Sequence, residues 1–112
     1  TVFVARDETG GAVGCGALKL ADNGEAEVKR MFTRPEIRGQ RVGSLLLDAI
    51  ETLARKNGVS LLLLETGRGP GFDGAIRLYE RRGFTERGAF FDYPDSEWSR
   101  FYEKRLSQPA AA

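Results

Sequence analysis

Between residues 26 and 66 the hydrophobic period changes twice, and that change limits the folds open to this chain. AEVKRMFT (26–33) alternates as a strand does, with Val28, Arg30 and Phe32 on one face and Glu27, Lys29, Met31 and Thr33 on the other. From Ser44 the period becomes helical: Leu46, Ala49, Ile50, Leu53 and Ala54 fall on one stripe, Glu51 and Arg55 form an i,i+4 pair, and Gly58 ends the run. VSLLLLET (59–66) is then a continuous apolar run of strand length, as expected for a strand covered on both faces. Residues 34 to 58 leave room for a loop and a crossover helix. The pattern predicts a right-handed βαβ unit with parallel strands.

The flanks extend this unit. TVFVARD (1–7) alternates, DETGG (7–11) turns, and AVGCGALKL (12–20) runs back. Asn23-Gly24 is a strong hairpin signal leading into the next strand, so the first third reads as a three-stranded antiparallel meander. Beyond residue 66, GRGPGF (67–72) reads as a loop and GAIRLYERR (74–82) as a short helix stopped by Gly83. FTERGAFFDY (84–93) and WSRFYEKRL (98–106) read as two more strands around the turn PDSE (94–97), and SQPAAA as a flexible tail. The expected fold is α/β, with order β-β-β-α-β-α-β-β and one mixed, mostly antiparallel sheet around a central βαβ crossover. Residues 1–106 are expected to form a single domain and 107–112 its tail.

Composition narrows the chemistry. The net charge is +1, so the arginines near residue 38 are a local concentration, which weighs against nucleic-acid binding through a broad basic surface. No apolar run reaches the length of a membrane span, and the first residues do not resemble a signal peptide. With a single cysteine, Cys15, no internal disulfide is available, and a cytoplasmic address is the default expectation. The sequence contains no histidine, which removes Ser-His-Asp and Cys-His chemistry and His-ligated metals. Catalysis is left to carboxylates, tyrosine, lysine or the backbone, and no metal is expected.

The segment RPEIRGQRVGSLLLDAI (34–50) places three arginines and two glycines where a strand ends and a helix begins. Free N–H groups and the positive end of the helix dipole meet there, so the segment is suited to an anion such as a diphosphate. A Walker-type loop would end Gly-Lys-Ser/Thr, and this one ends Val-Gly-Ser; the G-x-G-x-x-G dinucleotide fingerprint is absent. Spacing favours the anion site; the plainer reading is an exposed loop in which the arginines are only solvated and the glycines serve the turn.

RGQRVGSLLL resembles the acyl-CoA pyrophosphate loop of the GNAT (general amine N-acetyltransferase) superfamily, patterned Gln/Arg-x-x-Gly-x-Gly/Ala. Arg38 takes the first place and Gly43 the last, while Arg41 replaces the middle glycine. EVKRMFTRPEIRG resembles the family's fourth strand and its lead into the loop, and AIRLYERRGF its late helix, A-x-x-Leu/Phe-Tyr-x-x-x-Gly-Phe. Two departures stand out. Phe72 occupies the place where many members carry an asparagine that contacts the cofactor, and the strand and helices that usually open the family's domain have no counterpart here.

The resemblance implies an acetyl-CoA-dependent N-acetyltransferase acting on a primary amine of a small molecule or peptide by direct transfer. Glu27 is then the general base, at the position eleven residues before Arg38, and Tyr79 the proton donor to the departing thiolate. Met31 and Thr33 would bond the pantetheine arm through their backbones, and Arg38, Gly39, Gln40, Arg41, Val42, Gly43 and Ser44 would hold the pyrophosphate. Acetyl-CoA and an amine acceptor are the implied partners, with neither nucleic acid nor membrane; a homodimer is one expected assembly. Each residue also has a plainer reading: Glu27 as an exposed carboxylate paired with Lys19 or Lys29, Tyr79 as core packing, Cys15 as a buried small residue, and the aromatics of residues 90–102 as sheet packing rather than an acceptor wall. A non-catalytic acyl-CoA-binding or regulatory module of the same fold is the alternative.

Overall fold

The computed structural model describes residues 1–34 and 41–106. Its elements follow the expected order: β1 (Val2–Arg6), β2 (Ala12–Leu20), β3 (Glu25–Thr33), α1 (Val42–Lys56), β4 (Leu61–Gly67), α2 (Asp73–Arg81), β5 (Thr85–Arg87) and β6 (Ser99–Arg105), with one turn of 3-10 helix at Pro70–Phe72 before α2. All six strands form one sheet, in the order β1-β2-β3-β4-β6-β5. Only β3 and β4 pair in parallel; the other four pairs are antiparallel. The β3–α1–β4 crossover is the βαβ unit that the change of period implies. Among the described residues no helix is long and apolar enough to cross a membrane.

Local chemistry accounts for the turns. The β2–β3 hairpin closes on Asn23 and Gly24, both at positive φ (61° and 75°), with Glu25 N–H donating to Asp22 O at 3.2 Å. That geometry is a type I′ turn, whose twist suits the strands it joins. Helix α1 ends at Gly58 (φ 74°), where Val59 N–H donates to Ala54 O and Gly58 N–H to Arg55 O. This pair of bonds is a Schellman cap, which needs a residue tolerant of the left-handed conformation at Gly58.

The apolar run of β4 is covered on both sides. Leu62 and Leu64 pack with Leu47, Ile50, Ile76 and Tyr102 on the helix-bearing face. Leu61 and Leu63 pack with Phe90 and Phe101 on the other. At roughly 1.5–3 kcal/mol per fully buried aliphatic side chain, this strand anchors both cores. One expectation fails here: residues 84–93 do not form a long strand. Pairing with β6 stops at Arg87, and after Gly88 the chain turns through Phe91 at φ 51° instead of continuing. The turn carries Phe90 back over the sheet as the centre of the second core.

Glu51 has a larger role than its i,i+4 spacing implied. It is buried (3% exposed) and accepts from Lys104 Nζ at 2.9 Å and Arg82 Nη2 at 3.1 Å, with Arg55 more distant at 3.8 Å. Arg82 also reaches Asp48, so one carboxylate ties α1 to the end of α2 and to β6. Removing one member of a buried ionic cluster strands the others. Glu51→Ala is expected to lower stability by about 3 kcal/mol in urea denaturation, the low end for a buried pair because both cationic partners keep some solvent contact.

Candidate active site

The site begins where β3 and β4 part. Their parallel pairing covers only Glu25–Val28 with Leu61–Leu64, yet β3 runs on to Thr33 and β4 to Gly67. Between the diverging ends lies a cleft of about 440 Å³, lined by Glu27, Met31, Leu64, Phe72, Tyr79 and Tyr93 among others.

A β-bulge in β3 adds twist as the strand departs. The register with β2 shifts between Cys15 and Ala17, so that Arg30 and Met31 together stand opposite Gly16, with Arg30 at φ 57°. A Cβ at Gly16 would sit 2.6 Å from Met31 Sδ, so the glycine makes room for Met31 to fold onto the helix-bearing face. This corrects the simple alternation. Glu27 and Lys29 lie on one face, and beyond the bulge Met31 and Thr33 lie on the other. Arg34 N–H donates to Val13 O, and antiparallel alternation then turns the backbone groups of Met31 and Thr33 away from β2, toward the side that β4 has left.

Glu27 sits at the narrow end of the cleft. It is 4% exposed, which removes the reading of a solvated surface carboxylate. Its Oε2 accepts a 2.6 Å hydrogen bond from the Tyr93 hydroxyl, and Lys29 Nζ lies 3.9 Å from its Oε1. Lys19 pairs across the strand in register but forms no ion pair with it among those described. The bond to Glu27 is the main reason that the Tyr93 phenol is pushed up to about 12, with burial adding to it.

Tyr79 comes to the cleft from α2. The Gly-Phe that follows its helix has a structural reason. Gly83 (φ 92°) forms a second Schellman cap, with Phe84 N–H donating to Tyr79 O at 3.0 Å and Gly83 N–H to Glu80 O at 3.1 Å. The cap folds Phe84 edge-on against Tyr79, ring centroids 5.8 Å apart, and so fixes the tyrosine ring. Burial pushes the Tyr79 phenol from 10.0 up to about 12, which keeps it a proton donor throughout the neutral range.

The start of α1 supplies the third component. Arg41 is its N-cap residue at φ 64°, and among the described residues no side chain caps the helix. The first-turn amides of Val42, Gly43 and Ser44 thus have no side-chain acceptor among the described residues, the arrangement that suits an anion. Gly43 is required for packing: a Cβ there would come within 2.7 Å of Leu78 Cδ2, so the glycine lets α1 lie against α2. Arg41 holds the left-handed conformation that the glycine it replaces would adopt more readily. Arg38, Gly39 and Gln40 lie outside the described residues. Phe72 lies across the end of β4, its ring within 2.5–2.9 Å of where a Cβ on Gly67 would be, so an aromatic wall borders the cleft.

The structure thus brings Glu27, Met31 and Tyr79 to one cleft, while Thr33 and Arg41–Ser44 are not among its lining residues. The residue that sequence reasoning underweighted is Tyr93, which appeared only within an aromatic cluster. The other aromatics divide: Phe90 and Phe101 are core on one face, Tyr102 on the other, and Phe91 and Trp98 are exposed. Cys15 is half-buried and its thiol donates to Arg30 O at 3.3 Å, a local contact in the bulge.

The family model described as "Acetyltransferase (GNAT) domain" matches residues 1–86. The chain belongs to the GNAT acetyltransferases. This GNAT domain is similar to the IAA acetyltransferase of Azospirillum brasilense, 44% identical over 105 residues that make up 93% of this chain and 67% of that protein. It is similar also to the uncharacterized N-acetyltransferase YedL of Escherichia coli strain K12, 38% identical over 85% of this chain and 60% of that one. A crystal structure assigned as an acyl-CoA N-acyltransferase from Klebsiella pneumoniae superposes with a TM-score of 0.88 at 42% identity, covering 95% of this chain and 72% of the other. The GNAT chain thus spans about two thirds or less of the length of these two curated relatives.

Two outcomes follow for the GNAT domain. Arg41→Gly relieves a left-handed arginine and is expected to raise stability by about 1 kcal/mol in urea denaturation. Tyr79 ionises near its ordinary value in the unfolded chain but only around 12 in the folded one. Its contribution is therefore intact below about pH 10 and is lost as pH rises through 10 toward 12. Denaturation midpoints should fall less steeply above about pH 10 in Tyr79→Phe than in the parent.

Proposed function

We propose that the chain is an N-acetyltransferase that moves an acetyl group from acetyl-CoA directly to a primary amine. The observation that carries this reading is the placement of a buried, hydrogen-bonded carboxylate, Glu27, and a protonated phenol, Tyr79, on one cleft between diverging parallel strands. The residues suit the donor: outward-facing backbone groups of Met31 and Thr33 for the amides of the thioester arm, and the uncapped first turn of α1 for its diphosphate. Phe72 offers the arm an apolar contact where many relatives have an amide.

An alkylammonium with a pKa near ~10 carries no lone pair at neutral pH and must lose a proton before it attacks. Glu27 takes that proton, breaking an N–H bond and forming an O–H bond. The freed lone pair then forms the C–N bond as the C–S bond of the thioester breaks. Tyr79 delivers its phenolic proton to the departing sulfur, and recovers one from the nitrogen's remaining excess proton through solvent. A Met31 or Thr33 N–H polarises the thioester carbonyl in the manner of an oxyanion hole. No covalent enzyme intermediate is needed, so Cys15 takes no part.

The test is thermal denaturation with and without acetyl-CoA, followed by turnover. At a hundred times its Kd the ligand should add about 2.7 kcal/mol, a shift of roughly 10 °C for a domain of this size. Glu27→Gln should keep that shift while losing at least about 100-fold in kcat with an alkylamine acceptor. A parent chain that shows no shift contradicts the reading. One that shows the shift but acetylates no amine is the non-catalytic binding module.

A further inference from the structure

Tyr93 lies in the segment between β5 and β6, far from Glu27 in sequence, yet its hydroxyl meets that carboxylate at 2.6 Å. At this distance an O–H donor to a carboxylate is in the range of charge-assisted bonds. The segment holding Tyr93 is stiffened for the purpose. Phe90 is buried at its centre and packs edge-on with Phe91, Tyr93 and Phe101 at centroid distances of 5.1, 5.4 and 5.3 Å. The Arg87 guanidinium lies over the Phe90 ring at 5.7 Å, and Tyr93 N–H donates to Phe90 O. Phe91 holds φ 51°, a conformation costly for a bulky side chain that is kept only where the surroundings enforce it.

The surroundings of Glu27 give that hydroxyl its significance. The carboxylate is nearly inaccessible to water, and Lys29 Nζ at 3.9 Å from Oε1 is beyond hydrogen-bond distance. Tyr93 is its side-chain hydrogen-bond donor among the described residues. A second carboxylate, Glu65 of β4, faces the same region, with Oε2 engaged by Ser99 Oγ at 2.7 Å. A buried carboxylate needs a hydrogen-bond donor to satisfy it and to hold one orientation.

We propose that Tyr93 is a positioning residue for the acceptor half of the site: its hydroxyl fixes Oε2 of Glu27 and leaves Oε1 as the atom that receives the amine proton. The aromatic segment 88–98 is then a frame that aims the base, not a wall that binds the acceptor. This deepens the reading of Glu27 as a general base and rests on it.

Two measurements on the 112-residue chain test it. The first is phenolate absorbance during an alkaline titration of the parent and of Glu27→Gln. The charged and titratable groups facing the Tyr93 hydroxyl are Glu27 and Lys29 from β3 and Glu65 from β4. Removing the Glu27 charge should bring one tyrosine down from about 12 toward 10.0, and Tyr93→Phe should delete that same step. An unchanged titration overturns the proposal.

The second compares two acceptors at pH 7.5: phenethylamine, which is protonated in solution, and hydroxylamine, which is already neutral and needs no base. Tyr93→Phe keeps the ring in its packing. It should cut kcat with phenethylamine about 10- to 100-fold, leave the KM for acetyl-CoA unchanged, and leave hydroxylamine acetylation within about twofold. Equal loss with both acceptors would assign Tyr93 a merely structural role and overturn the proposal. If the parent binds acetyl-CoA but acetylates neither amine, the base reading itself fails and the positioning role falls with it, whatever the titration shows.

Discussion

Everything in the site depends on one broken ladder. Over four residues of each strand β3 and β4 are ordinary parallel neighbours, held by the leucines of β4 that pack on both faces of the sheet. Past Val28 the pairing ends, and the bulge at Arg30 adds twist as β3 departs. A strand end that leaves its neighbour is ordinarily a liability in a sheet. Here Met31 on the departing strand lines a cleft, the place proposed above for an amide-bearing ligand. One feature thereby brings together Glu27, where the strands are still paired, Met31, where they have separated, and Tyr79 from α2.

The two helices serve this opening. Helix α1 lies over the meander, with Leu46 and Ile50 against Gly14 and Gly16, which have no side chains to hold it off. Gly43 lets its first turn approach Leu78 of α2, and Glu51 holds the other end of α2 through Arg82. Tyr79 lies between these two attachments. Its position is thus fixed by packing at Leu78, by the ionic cluster at Arg82, and by the Phe84 ring that the glycine cap folds against it. The Tyr-x-x-x-Gly-Phe pattern is a structural unit before it is a chemical one.

The elements that the sequence makes legible are those written in local period. The Asn23-Gly24 turn, the helical stripe from Ser44, the doubly buried run of β4 and the parallel crossover all follow from spacing within a dozen residues. What escapes depends on contacts between distant residues. The bulge at Arg30 arises because Gly16, fourteen residues earlier, leaves space for Met31, so strict alternation placed Met31 and Thr33 on the face of Glu27. FTERGAFFDY has the composition of a strand, but the burial of Phe90 against Phe101 and Leu63 outweighs further pairing with β6. Glu51 matched a surface i,i+4 pair because nothing local indicates that Arg82 and Lys104 converge on it. The bond from Tyr93 to Glu27 spans 66 residues, and no motif marks it. For the site, resemblance singled out Glu27 and Tyr79, which both line the cleft, but the means by which each is held came only from tertiary structure.

We propose above that the opening between β3 and β4, together with the first turn of α1, receives the CoA moiety. Amide chemical-shift mapping with ¹⁵N-labelled chain titrated with coenzyme A tests this residue by residue. The largest perturbations are expected at Met31, Thr33, Val42, Gly43 and Ser44, with smaller ones at Gly67 and Phe72 across the cleft. Perturbations grouped instead along the groove formed by Thr1, Leu20, Leu53 and Asn57, with the β3 and α1 amides unmoved, would contradict it.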